Sequence, residues 1–163
     1  MEDKNRLWAP WRMEYIRAPK ATDCIFCDKS RQNKDRANLL LYRGKDSFVL
    51  MNLYPYNNGH LMIAPYRHGD SIHDLSAEAK LEIMTLADQT MKILARQMNT
   101  QGFNFGANLG AAAGAGIAEH LHFHIVPRWS GDTNFMPVLG HTKVMVQGLL
   151  ETYDQIKPEF DLI

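Results

Sequence analysis

The sequence contains no run of about eighteen apolar residues of the kind that a membrane-spanning helix requires. Its first twenty residues, MEDKNRLWAPWRMEYIRAPK, lack the continuous apolar core of a secretory signal. The expectation is a soluble, cytoplasmic protein with no membrane partner. Net charge is missing as well, since 18 Lys plus Arg balance 18 Asp plus Glu. No broad field of one sign draws in a polyanion, so nucleic acid is not an expected partner, and a small anionic ligand needs a local site. Neither Gly-x-x-x-x-Gly-Lys-Ser/Thr nor a Gly-x-Gly-x-x-Gly between a strand and a helix is present, which leaves those two nucleotide-binding classes without support. Cysteine is scarce. The only two stand together as Cys24-Ile25-Phe26-Cys27, a spacing that suits a shared metal or a redox pair better than a structural disulfide.

What is present is a chain of 163 residues, 45% of them hydrophobic, enough for one domain with a compact core. Trp8, Trp11 and Tyr15 sit between charges in residues 1–20 and suggest an arm packed on the domain or on a second subunit. Leu39 to Tyr42 and Ser47 to Leu53, separated by Arg43-Gly44-Lys45-Asp46, predict a hairpin. His60 to Ala64 predicts a third strand between the turn-rich Tyr54 to Gly59 and Pro65. Ser76 can cap a helix whose apolar positions, Leu81, Met84, Ala87, Met91, Leu94 and Met98, recur at three and four residues, with Glu78 at its positive end. Phe103, Phe105 and Ala107 alternate with Asn104, Gly106 and Asn108. A Gly/Ala-rich stretch, Leu109 to Ala118, then leads into a second alternating run, His120 to Val126, stopped by Pro127. Val146, Leu149, Leu150, Tyr153 and Ile156 have helical spacing near the C-terminus, with Gly148 opposing it. Strands in adjacent pairs around one long helix predict an α+β domain with a mainly antiparallel sheet.

In His120-Leu121-His122-Phe123-His124-Ile125-Val126-Pro127 the two-residue period of a strand sends three imidazoles to one face, while Leu121, Phe123 and Ile125 go to the other. Three histidines on one strand face are more than a core accommodates by chance. They suit either of two chemistries: a catalytic zinc with three imidazole ligands, or a nucleophile whose neighbours tune its protonation. Gly110, Gly114 and Gly116 precede them, and the lack of side chains there lets backbone N–H groups approach an oxyanion. Glycine and histidine together point to phosphorus. Glu119, which could serve a zinc hydrolase as a base, falls on the opposite face by the same alternation.

The run His120 to Val126 resembles the His-φ-His-φ-His-φ-φ signature of the histidine-triad (HIT) family, and Gly59-His60-Leu61-Met62-Ile63-Ala64-Pro65 is similar to that family's upstream Gly-His-φ-φ-φ-φ-Pro segment. The likeness extends from Cys24 to Trp129. Leu7-Trp8-Ala9-Pro10-Trp11-Arg12 and Pro127-Arg128-Trp129 look like the bacterial branch similar to diadenosine tetraphosphate phosphorylases and related nucleotide hydrolases. The resemblance implies a HIT-like fold of about five strands with one long helix and a C-terminal helix. It divides residues 1–163 into the arm, a core over 24–129, and a C-terminal extension and helix over 130–163.

For the site, the resemblance implies that His122 attacks the phosphorus next to a nucleoside to form a nucleotidyl-histidine, which water or phosphate then releases. His124 is expected on the phosphate oxygens and His60 in the same pocket. Asn52 falls where the family places a polar residue on the ribose, Asn108 matches a phosphate-side Asn, and Gly114 and Gly116 belong to the nucleotide-binding loop. Cys24, Cys27, His68 and His120 match the four ligands of a structural zinc in Cys-x-x-Cys members, and a homodimer with a shared sheet is expected. One departure bears on the reaction. Many hydrolytic members carry Gln four residues before the first triad histidine and a hydroxyl residue after it, where this chain has Gly116 and Ile117. That favours phosphorolysis or slow hydrolysis and leaves a nucleotide sensor as the binding-class alternative, with a nucleoside phosphoramidate as another substrate class. His73 and His141 have no motif context.

Overall fold

A computed structural model describes residues 24–135, Leu139 and residues 145–163. The aromatic arm and His141 lie outside the described residues. Helix α1 (Ile25–Arg31) and the single turn α2 (Asp35–Asn38) lead into β1 (Leu40–Arg43), β2 (Ser47–Met51) and β3 (Leu61–Pro65). A 22-residue helix, α3 (Ala77–Met98), is followed by β4 (Gly102–Gly106), β5 (Phe123–Arg128) and α4 (Leu149–Phe160). The five strands form one sheet in the order β1-β2-β3-β5-β4, every neighbouring pair antiparallel. The expected α+β class and antiparallel sheet are therefore what the chain adopts.

Alternation along the strands feeds two apolar layers. Leu41, Val49, Met51, Leu61, Ile63 and Ile125 pack against α3 and α4, whereas Leu40, Phe48, Leu50, Met62 and Ala64 face the other way and are covered by Phe26 of α1. Each large apolar side chain buried in these layers contributes about 1.5–3 kcal/mol relative to exposure. Arg43 holds the segment under which the second layer lies, bonding to Asp35 and to the carbonyls of Ser30 and Gln32. The long helix begins where the sequence places it, with Ser76 Oγ accepting from the Ala79 N–H at 3.1 Å. Glu78 in its first turn is held below the usual carboxylate range by backbone hydrogen bonding and by Ser76.

Several boundaries differ from expectation, each for a local reason. Leu39 is not the first residue of β1 but the left-handed C-cap of α2 (φ 58°). The second strand stops at Met51 rather than Leu53, because the Asn52 side chain accepts from the Tyr54 N–H at 2.9 Å and turns the chain. On α3 the buried stripe is Ala79, Ile83, Leu86, Ala87, Thr90, Ile93 and Leu94, so Leu81 and Met84, expected on the core side, face outward at 69% and 55% exposure. The fourth strand ends at Gly106, short of Ala107. Gly148 is the N-cap of α4 rather than an interior residue, which leaves Val146 outside the helix and exposed. The short helix α1 was not expected.

The most consequential difference concerns the triad strand, which runs from Phe123 to Arg128 instead of from His120 to Val126. The register Leu61↔Ile125 and Ile63↔Phe123 would next set Pro65 opposite Leu121, and Pro65 has no N–H to extend the ladder. Leu121 instead donates its N–H to the Gly69 carbonyl at 2.7 Å. Pro127 is accommodated inside β5 because β3 no longer flanks it, and its carbonyl on that side accepts from Asn57 Nδ2 at 3.0 Å.

Candidate active site and metal centre

Although His120 and His122 precede the regular strand, alternation persists through them. Leu121 and Ile125 enter the layer beneath α3, with Phe123 packed against it, and the three imidazoles go to the side of Phe26. His120 and His122 are buried, at 1% and 6% exposure, and His60 at 1% joins them from the start of β3. Gly59, which delivers His60, has φ +71°, a conformation that L side chains rarely adopt and that favours glycine there.

The hydrogen bonds define which nitrogen of each ring carries the proton. His122 Nδ1 lies 2.8 Å from the carbonyl of His120, an acceptor only, so Nδ1–H donates and Nε2 keeps its lone pair. His120 Nε2 donates to the Pro65 carbonyl at 2.9 Å, which puts its lone pair on Nδ1. His60 Nδ1 receives the Tyr56 N–H at 3.0 Å, with the Asn52 amide at 3.4 Å. Its Nε2–H is therefore the donor in the 2.9 Å contact to His124 Nδ1, and His124 carries its proton on Nε2. His122 and His124 stand edge to face with ring centroids 4.9 Å apart. A ring nitrogen with its lone pair and an N–H donor are thus presented on neighbouring rings. Burial pushes both His122 and His120 below the ordinary imidazole value, which keeps the lone pair on His122 at neutral pH.

His120 Nδ1 points away from His122, into a second cluster. Cys24 at the N-cap of α1, Cys27 in its first turn, His68 beyond β3, and His120 bring their ligand atoms within 4.8 Å of one another. The spacings are 3.2 Å from Cys24 Sγ to His120 Nδ1, 3.6 and 3.5 Å from Cys27 Sγ to His120 and His68 Nδ1, and 3.3 Å between the two nitrogens. A tetrahedral ion at ordinary zinc bond lengths sets two nitrogens about 3.3 Å apart and a nitrogen and a sulfur about 3.6 Å apart, so the four residues fit a metal. Burial and the adjacent Cys24 thiol raise Cys27 above the usual thiol value, an effect that a bound cation reverses. Both nitrogens of His120 being engaged here and at Pro65, the three triad rings do not converge on a shared ion, and a catalytic zinc on His120, His122 and His124 has no support.

The remaining expected residues are less closely tied together. Asn52 is half-buried, its oxygen on the Tyr54 N–H and its amide toward His60, so it braces His60. Asn108 is half-buried just past β4, where the Gly/Ala loop begins. In that loop Gly114 has φ +84° at the end of a short 3-10 turn over Ala111–Ala113, a conformation that L side chains rarely adopt, and Gly116 is exposed. Ile117 turns from the loop into the apolar layer containing Phe26. His73 is exposed. Two aromatic residues that the sequence did not single out border the histidines. Phe26 lies 5.1 and 4.8 Å from the His120 and His122 rings, and Tyr56 lies 4.6 and 5.7 Å from those of His60 and His124. The signal for Phe26 was its place inside Cys-x-x-Cys, and for Tyr56 its place four residues before His60. No helix among the described residues is long and apolar enough to cross a membrane.

Comparison with known proteins places this geometry. Residues 33–131 match the HIT domain. Over 155 residues the chain is 40% identical to AP-4-A phosphorylase of Mycobacterium tuberculosis, covering 90% of this chain and 80% of the relative. It is 31% identical over 113 residues to adenosine 5'-monophosphoramidase of Saccharomyces cerevisiae, covering 68% and 67%. In fold it is similar to a zinc-bound histidine triad family protein from Mycobacterium smegmatis, with TM-score 0.67 and 19% identity over 86% of this chain and 94% of the other. With its family signature matched over most of the chain and its histidines arrayed on one side of the sheet, this protein belongs to the HIT family.

Proposed function

We propose that the chain is a nucleotidyl-transferring enzyme that cleaves dinucleoside polyphosphates of the diadenosine tetraphosphate kind. The observation that carries the reading is the tautomer of His122, whose Nδ1–H is spent on the His120 carbonyl so that Nε2 offers its lone pair. In the first step a bond forms between Nε2 and the phosphorus next to the nucleoside, and the bond from that phosphorus to the bridging oxygen breaks. The electron pair leaves with the polyphosphate. The positive charge that develops on the His122 ring is met at Nδ1–H by the His120 carbonyl, and His124 Nε2–H bonds to the phosphoryl oxygens. In the second step an oxygen of phosphate or water attacks the same phosphorus and returns the pair to Nε2. Gly116, in place of an amide side chain that could orient water, favours phosphate as the acceptor, as does the 40% identity to a phosphorylase.

In this reading Cys24, Cys27, His68 and His120 hold one zinc ion per chain. A bound zinc supplies structure there, because four protein ligands close its coordination, and it anchors α1 to the segment that carries His122. The chain works as a homodimer whose sheets join, which would cover an exposed edge strand such as β4. Two cysteines free of a disulfide, as zinc ligands must be, fit a reducing, cytoplasmic setting. Nucleoside phosphoramidates are the second reading, favoured by the 31% identity to a monophosphoramidase; the P–N bond then breaks in the first step, the departing nitrogen keeping the electron pair and taking the His124 Nε2 proton to leave as an amine.

Product analysis from diadenosine tetraphosphate, with and without inorganic phosphate, tests the assignment. ADP plus ATP appearing only with phosphate is the expected result. AMP plus ATP, independent of phosphate, would make the chain an asymmetric hydrolase, and no turnover with either acceptor would turn attention to phosphoramidates.

A further inference from the structure

Phe26 sits between the two cysteines of the metal cluster, and its side chain is fully buried. One side of it belongs to the apolar layer with Leu40, Phe48 and Met62. That layer alone asks only for an aliphatic chain of suitable volume. What an aliphatic chain would not reproduce is the pair of ring contacts on the other side, 5.1 Å to His120 and 4.8 Å to His122, the latter tilted by 34°. A single hydrogen bond at Nδ1 does not by itself fix the His122 ring about its side-chain torsions, and a swing would move Nε2 off the line of attack. A flat, immobile ring against the imidazole removes that freedom. Phe26 is immobile because Cys24 and Cys27 flank it and Arg43 ties the end of its helix to the sheet.

We infer that Phe26 is a positioning residue for the nucleophile, its buried ring holding the aim of His122 Nε2. The inference rests on the reading of His122 as the attacking group. Its consequence is kinetic. An attacking atom displaced by about 1 Å loses on the order of a hundredfold in rate, while groups that hold the nucleotide elsewhere keep their affinity.

The test compares wild type with Phe26→Leu, in rapid-quench single turnovers with diadenosine tetraphosphate. The rate of nucleotidyl-histidine formation, the affinity for AMP, the zinc content and the melting temperature are measured together. The expected result is adduct formation slowed by at least about tenfold, with AMP affinity within about twofold and one zinc per chain retained in both proteins. Phe26→Met, which fills a similar volume with a flexible chain, is expected to behave alike and serves if the leucine variant does not fold. Adduct formation at the wild-type rate in either folded variant, with only the melting temperature lowered, overturns the inference and makes Phe26 a core residue alone. Slower adduct formation accompanied by loss of zinc also overturns it, since the effect would then run through the cluster. If wild type turns over and forms no adduct on His122, it is the covalent reading that fails, and the two failures are distinct.

Discussion

At the scale of single residues, the site is a set of tautomers as much as a set of positions. Three carbonyl or N–H groups of the backbone, at His120, Pro65 and Tyr56, decide where His122, His120 and His60 hold their protons. His60 then decides for His124. Replacing His60 with Phe keeps a ring of similar size beside Tyr56 but withdraws the Nε2–H. The expected outcome is a fall in kcat of at least about tenfold with a modest change in KM, because His124 is released to take the unproductive tautomer. Steady-state kinetics checks this, and kcat within about twofold of wild type would show that His60 does not set the tautomer. Alternation in the sequence was enough to put His120, His122 and His124 on one side, whereas His60 came only from the family resemblance. Their proton positions were not legible, because they depend on carbonyls whose place is set by strand register.

At the scale of elements, legibility followed how local the determining interaction is. The start of α3 depends on Ser76 and the third residue after it, and was readable. Its buried stripe depends on where the sheet lies. The helix carries apolar residues on more than one side, so Leu81 and Met84 satisfied a helical period while facing away from the core. The truncation of the triad strand at Phe123 follows from Pro65 falling where the ladder between distant segments would next have paired with Leu121. The hairpin between β1 and β2 offers a test of the same kind. Glu82 of α3 accepts the N–H groups of Lys45 and Asp46, each at 2.7 Å, and so ties the turn to the helix. Glu82→Ala is expected to destabilise by about 1.5–3 kcal/mol, the range for hydrogen bonds to a charged group, with little effect on catalysis. Denaturant unfolding reads the difference, and an unchanged midpoint would contradict it. Ser76→Ala should cost about 1 kcal/mol by the same measurement.

At the scale of the whole molecule, the candidate metal cluster draws together three segments distant in sequence: α1, the chain after β3 and the approach to β5. An unfolded chain has no such site, so ion binding adds directly to folding free energy. Elemental analysis of protein purified without chelator is expected to find one zinc per chain. Chelation or Cys24→Ser is expected to lower the melting temperature. No stoichiometric metal, together with an unchanged melting temperature in Cys24→Ser, would remove the cluster from the account and leave His122 untouched. Light scattering at micromolar concentration is expected to give the mass of a dimer, and a monomer mass would remove the shared sheet.

The measurement that tests the central claim most directly is mass spectrometry of protein rapidly quenched at alkaline pH, where a P–N bond survives, after mixing with diadenosine tetraphosphate in the absence of phosphate. The account predicts an added nucleotidyl group that maps to His122, is discharged on addition of phosphate, and is absent from a folded His122→Asn variant whose turnover falls by about a thousandfold or more. Turnover by the wild type with no adduct, an adduct on another residue, or turnover by His122→Asn within about tenfold of wild type would contradict it.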